Sequence, residues 1–137
     1  MAKKIVMVFG VFDVLHPGHI HFLEKAKACG DILIVAVTPD KKVFTEKSSK
    51  TVFNERERML MVSHLRLVDK TILGDKKATW HRIEQFKPDI ICLGHDQRAD
   101  YPQFLTQLKN ISKKIRLVRI KAKNRSRYAS SKSLLPE

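Results

Sequence analysis

Two imidazoles stand three residues apart in His16-Pro17-Gly18-His19, directly after a short apolar run. A spacing of three places both rings on one side of a helix entrance. Pro17 presets the backbone dihedral of the first turn, and Gly18 lets a ligand approach the chain closely. The first N–H groups of a helix and its dipole favour an anion, so a phosphate is the natural guest. As charge builds on phosphorus, His16 and His19 would donate hydrogen bonds to its non-bridging oxygens. GxxxxGK[ST] and GxGxxG are both absent, so the loop is neither a P-loop nor a dinucleotide fingerprint. His21, His64 and His81 lack this setting and read as surface or packed residues.

The elements that must position these rings follow from the hydrophobic pattern. Residues 4–9 (KIVMVF) form a continuous apolar run ending at Gly10, the pattern of a strand buried on both faces of a parallel sheet. Residues 20–30 have helical spacing closed by a glycine, and residues 31–38 (DILIVAVT) are a second buried strand. The first 38 residues therefore read as a βαβ unit, with a right-handed crossover expected. Residues 39–54 are polar and lysine-rich without periodicity, and read as a mobile loop. Asn54 caps a helix over residues 55–65 whose buried side is expected to carry Met59, Leu60 and Val62. Strands follow at 68–73, 89–93 and 115–120, with helices at 76–86, containing Trp80, Ile83 and Phe86, and at 104–109. This alternation predicts an α/β fold with a doubly wound parallel sheet. Ligands of such sheets bind beyond the carboxyl ends of the strands. Two loops lie there: Gly10, Val11, Phe12 and Asp13 leading to His19, and Gly94 to Gln97 with Asp96. Asp13 has two readings, orienting the loop or a metal, or capping the turn through its own backbone.

A chain of 137 residues with 43% hydrophobic content is expected to close one core, a single domain over 1–137. No apolar run approaches the roughly 18 residues of a membrane span, and the amino terminus lacks a signal-peptide pattern, so a cytoplasmic protein without membrane partners is expected. Cys29 and Cys92 form no CxxC or His/Cys cluster. No protein-ligated metal is expected, and the cysteines read as two reduced thiols. Charge is the unusual quantity: 27 basic against 14 acidic residues give +13. Ten of the basic residues lie between 105 and 137, against Glu137 alone. An anionic partner is implied. Tyr128 interleaved among Arg125, Arg127 and Lys132 raises a rival reading, a basic nucleic-acid-binding module. No nucleic-acid-reading motif accompanies it, and paired histidines have no purpose in a simple binder, so nucleic acid is not the expected partner.

GVFDVLHPGH resembles the HxGH signature of the nucleotidyltransferase superfamily that includes glycerol-3-phosphate cytidylyltransferases, pantetheine-phosphate adenylyltransferases and archaeal-type FAD synthases. NERER with MLMVSHLRLVD, KPDIICLGHDQ and RYASSKSL resemble further family segments, so the likeness spans nearly the whole chain. It implies a Rossmann-like nucleotidyltransferase fold. The implied reaction joins a nucleoside triphosphate to a phosphorylated acceptor with loss of pyrophosphate, Mg²⁺ being held mainly by the triphosphate. It also implies substrate contact for Arg58, nucleotide contact for Gly94, Asp96 and Gln97, and triphosphate contact for Ser130, Ser131 and a preceding arginine. Arg119, Arg125 and Arg127 compete for the last role, and Arg127 is the choice. Lys47 or Lys50 would close over the acceptor or the phosphates, while Arg58 and Arg127 would grip phosphates bidentately. LGHDQ and RYASSKS are closer to the FAD synthase branch, which implies AMP transfer from ATP to FMN, than to the cytidylyltransferases, which would use CTP and glycerol 3-phosphate. Relatives continue into a helix after the serine signature, so a shortened last segment, or one given to a neighbour in a homodimer, is expected.

Overall fold

The computed structural model describes residues 2–47, 50–75, 81–94, 108–111 and 114–121, the side chains of 45–47 excepted. In chain order the elements are β1 (Ile5–Gly10), α1 (Pro17–Lys27), β2 (Ile32–Val37), α2 (Asp40–Lys47), α3 (Glu55–Ser63), β3 (Lys70–Leu73), α4 (His81–Phe86), β4 (Ile90–Leu93) and β5 (Arg116–Arg119). The five strands form one sheet in the order β3-β2-β1-β4-β5, every pair parallel.

The continuous apolar runs become the inner strands because helices cover both faces of the sheet. Val6, Val8, Leu33, Val35, Val37 and Cys92 face one way, onto Leu23 and Ala26 of α1 and Val62 of α3. Met7, Ile34, Ala36 and Ile91 face the other way, onto Ile83 of α4. β4 is buried along its whole length, whereas the edge strand β5 is exposed at both ends. The amino ends of the strands are tied by aspartates. Lys4 N–H donates to Asp31, Ile5 N–H to Asp89 and Leu33 N–H to Asp69, each at 2.8 Å. Asp69 also pairs with Lys27, and this bond holds its carboxyl below the usual range.

Three expectations need correction. Residues 40–47 are helical rather than loop. This helix buries Val43 but leaves Phe44 56% exposed, so it offers no apolar stripe, and its start is fixed by tertiary bonds to Asp40. Helix α1 begins at Pro17, three residues earlier than the apolar spacing suggested, because His16 supplies its cap. In α3 the sheet-facing positions are Arg58 and Val62, four apart, with Met59 beside the core, while Leu60 is 60% exposed. Asn54 caps α3 as expected, accepting from Glu57 N–H while Glu57 accepts from Asn54 N–H. Trp80 and residues 104–107 lie outside the described residues.

The turn from α1 into β2 is packed without slack. A Cβ on Gly30 would sit 2.6 Å from Val6 Cγ2 and 3.0 Å from the Lys4 carbonyl oxygen. Gly30→Ala should therefore destabilise the fold by about 1–3 kcal/mol, as overpacking does. Chemical denaturation against wild type measures the loss, and an unchanged midpoint would contradict the packing.

Candidate active site

The chain runs from β1 to β2 to β3 on one side of the sheet and then crosses to place β4 on the other side of β1. The order reverses between β1 and β4, and the crevice beyond their carboxyl ends is where such sheets take ligands. The β1–α1 loop occupies that position. Phe12 takes a left-handed φ of 51°, a conformation that costs energy for a bulky residue and concentrates at functional loops. Its ring is buried against His19, centroids 5.5 Å apart. Gly10 makes room for that ring: a Cβ there would lie 2.6 Å from Phe12 Cε2.

His16 and His19 form a reciprocal cap. His16 Nδ1 accepts Gly18 N–H at 3.1 Å, and His19 Nδ1 accepts His16 N–H at 3.3 Å. The rings stack with centroids 3.8 Å apart and planes 26° from parallel. A nitrogen that accepts a hydrogen bond carries no proton, so each neutral ring bears its hydrogen on Nε2. Protonating either Nδ1 would break its bond to the backbone, and protonating both would place two cations face to face. Burial acts in the same direction and holds the His16 imidazole below its ordinary value. The sequence brought the two rings to one helix mouth; the structure adds their tautomer.

Asp13 and Arg58 hold the rest of the loop. Both oxygens of the buried Asp13 carboxylate accept backbone N–H groups, from Phe53 at 2.9 Å and Val52 at 2.8 Å. It does not cap its own turn; it ties the β1–α1 loop to the approach to α3. Arg58 is fully buried. Its Nε donates to the Phe53 carbonyl, its Nη1 to the carbonyls of Val11 and Thr38, and its Nη2 to Asp40. The expected phosphate grip by Arg58 is therefore corrected: the group has no exposure, four of its five N–H donors go to protein acceptors, and it positions the loop instead. Asp40 and Glu55 close the network, each carboxylate accepting the other's backbone N–H, at 3.0 and 3.1 Å. Sequence reasoning missed both. Pro39 followed by an acidic residue was a helix-start signal at Asp40, but nothing in the sequence joins position 40 to position 58.

Lys50 is exposed, two residues before the Val52 amide that Asp13 holds. Lys47 ends α2, and its side chain lies outside the described residues. Gly18 lies in the first turn of α1, and its N–H is the one His16 accepts. The Gly94 carbonyl, at the end of β4, accepts from Arg119 Nη1 at 2.8 Å, a contact that anchors one of the three candidate arginines. Asp96, Gln97, Arg127, Ser130 and Ser131 lie outside the described residues. Among the described residues no group of three or more His, Cys, Asp or Glu side chains gathers as a metal site. Among them, too, no helix is long and apolar enough to cross a membrane.

The cytidylyltransferase-like family model matches residues 7–134. The chain belongs to this family. It is 44% identical over 130 residues to an FAD synthase of Archaeoglobus profundus, covering 95% of this chain and 83% of the relative. It is 40% identical over 133 residues to an FAD synthase of Ferroglobus placidus, covering 97% and 86%. A solved structure described as a lipopolysaccharide core biosynthesis protein from Thermoplasma volcanium superposes with a TM-score of 0.82 at 35% identity, covering 89% of this chain and 99% of that one. A pantoate-beta-alanine ligase of Francisella tularensis shares the fold, with a TM-score of 0.58 at 15% identity. This cytidylyltransferase-like chain is a nucleotidyltransferase, and its Rossmann-type parallel sheet is the fold its sequence implied.

The site generates two measurable outcomes. The unfolded His16 takes a proton near its ordinary value of 6.5 and the folded one only at lower pH. Its contribution to stability is thus complete above about pH 6.5 and is lost as pH falls through the folded value. His16→Asn keeps a capping acceptor but removes the titration, so the decline in melting temperature from pH 7 to 5 should be shallower than in wild type. An equal slope would contradict the neutral cap. Arg58→Met leaves Asp40 and three carbonyls without their buried donor, and should cost about 3–5 kcal/mol, read by denaturant unfolding.

Proposed function

We infer that the protein is an adenylyltransferase of the FAD synthase type, transferring AMP from ATP to FMN with release of pyrophosphate. The observation that carries the reading is the pair of stacked imidazoles at the mouth of α1, whose Nδ1 atoms both accept backbone N–H groups. The substrate assignment is supported by FAD synthases about 40% identical over most of the chain.

The reaction is an in-line displacement. A phosphate oxygen of FMN attacks the α-phosphorus of ATP, the new P–O bond forms opposite the bond to the β,γ-bridge, and pyrophosphate leaves. The FMN phosphate is already ionised at neutral pH, so no general base is needed. Two polyanions must be held together against their repulsion, and positioning with charge neutralisation supplies the acceleration. His16 and His19 donate from Nε2 to the α-phosphate as negative charge builds on it. Backbone of Gly10, Val11, Phe12, Asp13 and Gly18 lines the nucleotide, an arrangement supported by the loop's place at the sheet's switch point. Lys50, with Lys47, closes over the phosphates from the α2–α3 connection, as point charges suited to reach and release. By the family resemblance, Gly94, Asp96 and Gln97 meet the base and ribose, and Arg127, Ser130 and Ser131 meet the triphosphate. Mg²⁺ would be held mainly by the triphosphate and water and would supply positive charge to the leaving pyrophosphate.

Incubation with ATP, FMN and Mg²⁺ should yield FAD and pyrophosphate in equal amounts, and His19→Ala should slow turnover about 10²-fold with the fold retained. Pyrophosphate release only from CTP and glycerol 3-phosphate would move the assignment to the cytidylyltransferase branch. Full activity in both His16→Ala and His19→Ala would overturn the mechanism.

A further inference from the structure

Cys29 and Cys92 are 63 residues apart in sequence, yet Cys92 Sγ–H donates to Cys29 Sγ across 3.9 Å. Their environments differ. Cys92 lies in β4, wholly buried in the layer that Leu23 and Ala26 of α1 cover. Cys29 lies just beyond α1, partly exposed, its thiol also 3.4 Å from the Lys25 carbonyl. Its outer side lines an open groove of about 330 Å³ between α1 and β5, shared with His21, Lys25, Val118, Arg119 and Lys121. A solute entering the groove meets Cys29 first, and Cys92 stands directly behind it. The proposed reaction uses neither the sulphurs nor the groove.

We propose that Cys29 and Cys92 form a reversible dithiol–disulfide pair, oxidised by hydroperoxides that reach Cys29 through this groove. In the first step the Cys29 sulphur attacks one oxygen of the hydroperoxide. The O–O bond breaks, an S–O bond forms, and the thiol proton leaves with the second oxygen as an alcohol, or as water from hydrogen peroxide. In the second step the Cys92 sulphur attacks the sulfenic sulphur; the S–S bond forms, the S–O bond breaks, and hydroxide departs with the Cys92 proton as water. Two thiols give up two electrons and two protons, and one hydroperoxide is reduced. Burial pushes the Cys92 thiol up to about 12, with the neighbouring Cys29 adding to the shift. Cys92 thus resists oxidants from outside, and its position 3.9 Å from the Cys29 sulphur places it to resolve the sulfenic acid. A disulfide is about 2.05 Å long, so the sulphurs must close by roughly 1.9 Å.

The test treats the full chain with hydrogen peroxide, then alkylates remaining thiols in denaturant and measures intact mass. The expected product has lost about 2 Da, takes up no alkylating agent, yields one peptide linking Cys29 to Cys92, and reverts with dithiothreitol. Cys92→Ser should stop at the sulfenic acid on Cys29, trapped by dimedone, and Cys29→Ser should leave Cys92 unoxidised and alkylatable after denaturation. Peroxide-treated wild type in which Cys92 still alkylates in full, or in which Cys29 links only to a second chain, would overturn the proposal. The wild-type mass decides the matter whether or not either variant folds.

Discussion

A guanidinium with no exposure to solvent cannot be left with unmet donors, because desolvating a charge costs several kcal/mol unless partners replace the water. Arg58 meets that constraint through the carbonyls of Val11, Thr38 and Phe53 and the carboxylate of Asp40. These four acceptors belong to the loop after β1, the end of β2, the approach to α3 and the first turn of α2. None can move far without leaving part of the charge unpaired. Asp13 adds a second tie, accepting the amides of Val52 and Phe53, so the β1–α1 loop is joined to the approach to α3 by both side chains.

The two ends of the sheet are treated differently. At the amino ends, Asp31, Asp69 and Asp89 satisfy strand amides and close the edge. At the carboxyl ends of β1 and β4 the chain instead reverses its winding, and the polar groups there are held by specific side chains: His16 on Gly18, Arg58 on Val11, Arg119 on Gly94. Helix α1 links the two ends. Leu23 and Ala26 fix it on the sheet, and the crevice end carries the stacked imidazoles.

Charge is divided by range. The net +13 acts at a distance, gathering polyanions irrespective of orientation. In the proposed reaction His16 and His19 act at short range, their rings fixed by the backbone bonds to both Nδ1 atoms, so their contribution is directional. Neutral donors can stabilise developing charge without clamping the product once the reaction is over. In the proposed reaction this division gives histidines, rather than lysines, the place at the helix mouth.

The sequence by itself determined the sheet, because β1, β2 and β4 are apolar runs whose burial on both faces follows from composition alone, and it determined the location of His16 and His19, because strand, glycine, proline and helix coincide there. The cap at Asn54 was legible for the same reason: its partner, Glu57, lies three residues away. Local patterns carry such information. Only the tertiary structure decided that Arg58 is buried, that residues 40–47 are helical, that Asp13 binds amides forty residues distant and that Cys29 meets Cys92. Each of these depends on contacts between segments 15 or more residues apart, for which spacing along the chain gives no signal. Arg58 reads in sequence as a surface charge because long cationic side chains usually stay in water. It is buried because four acceptors from four segments converge on one point, and convergence is a property of the folded chain.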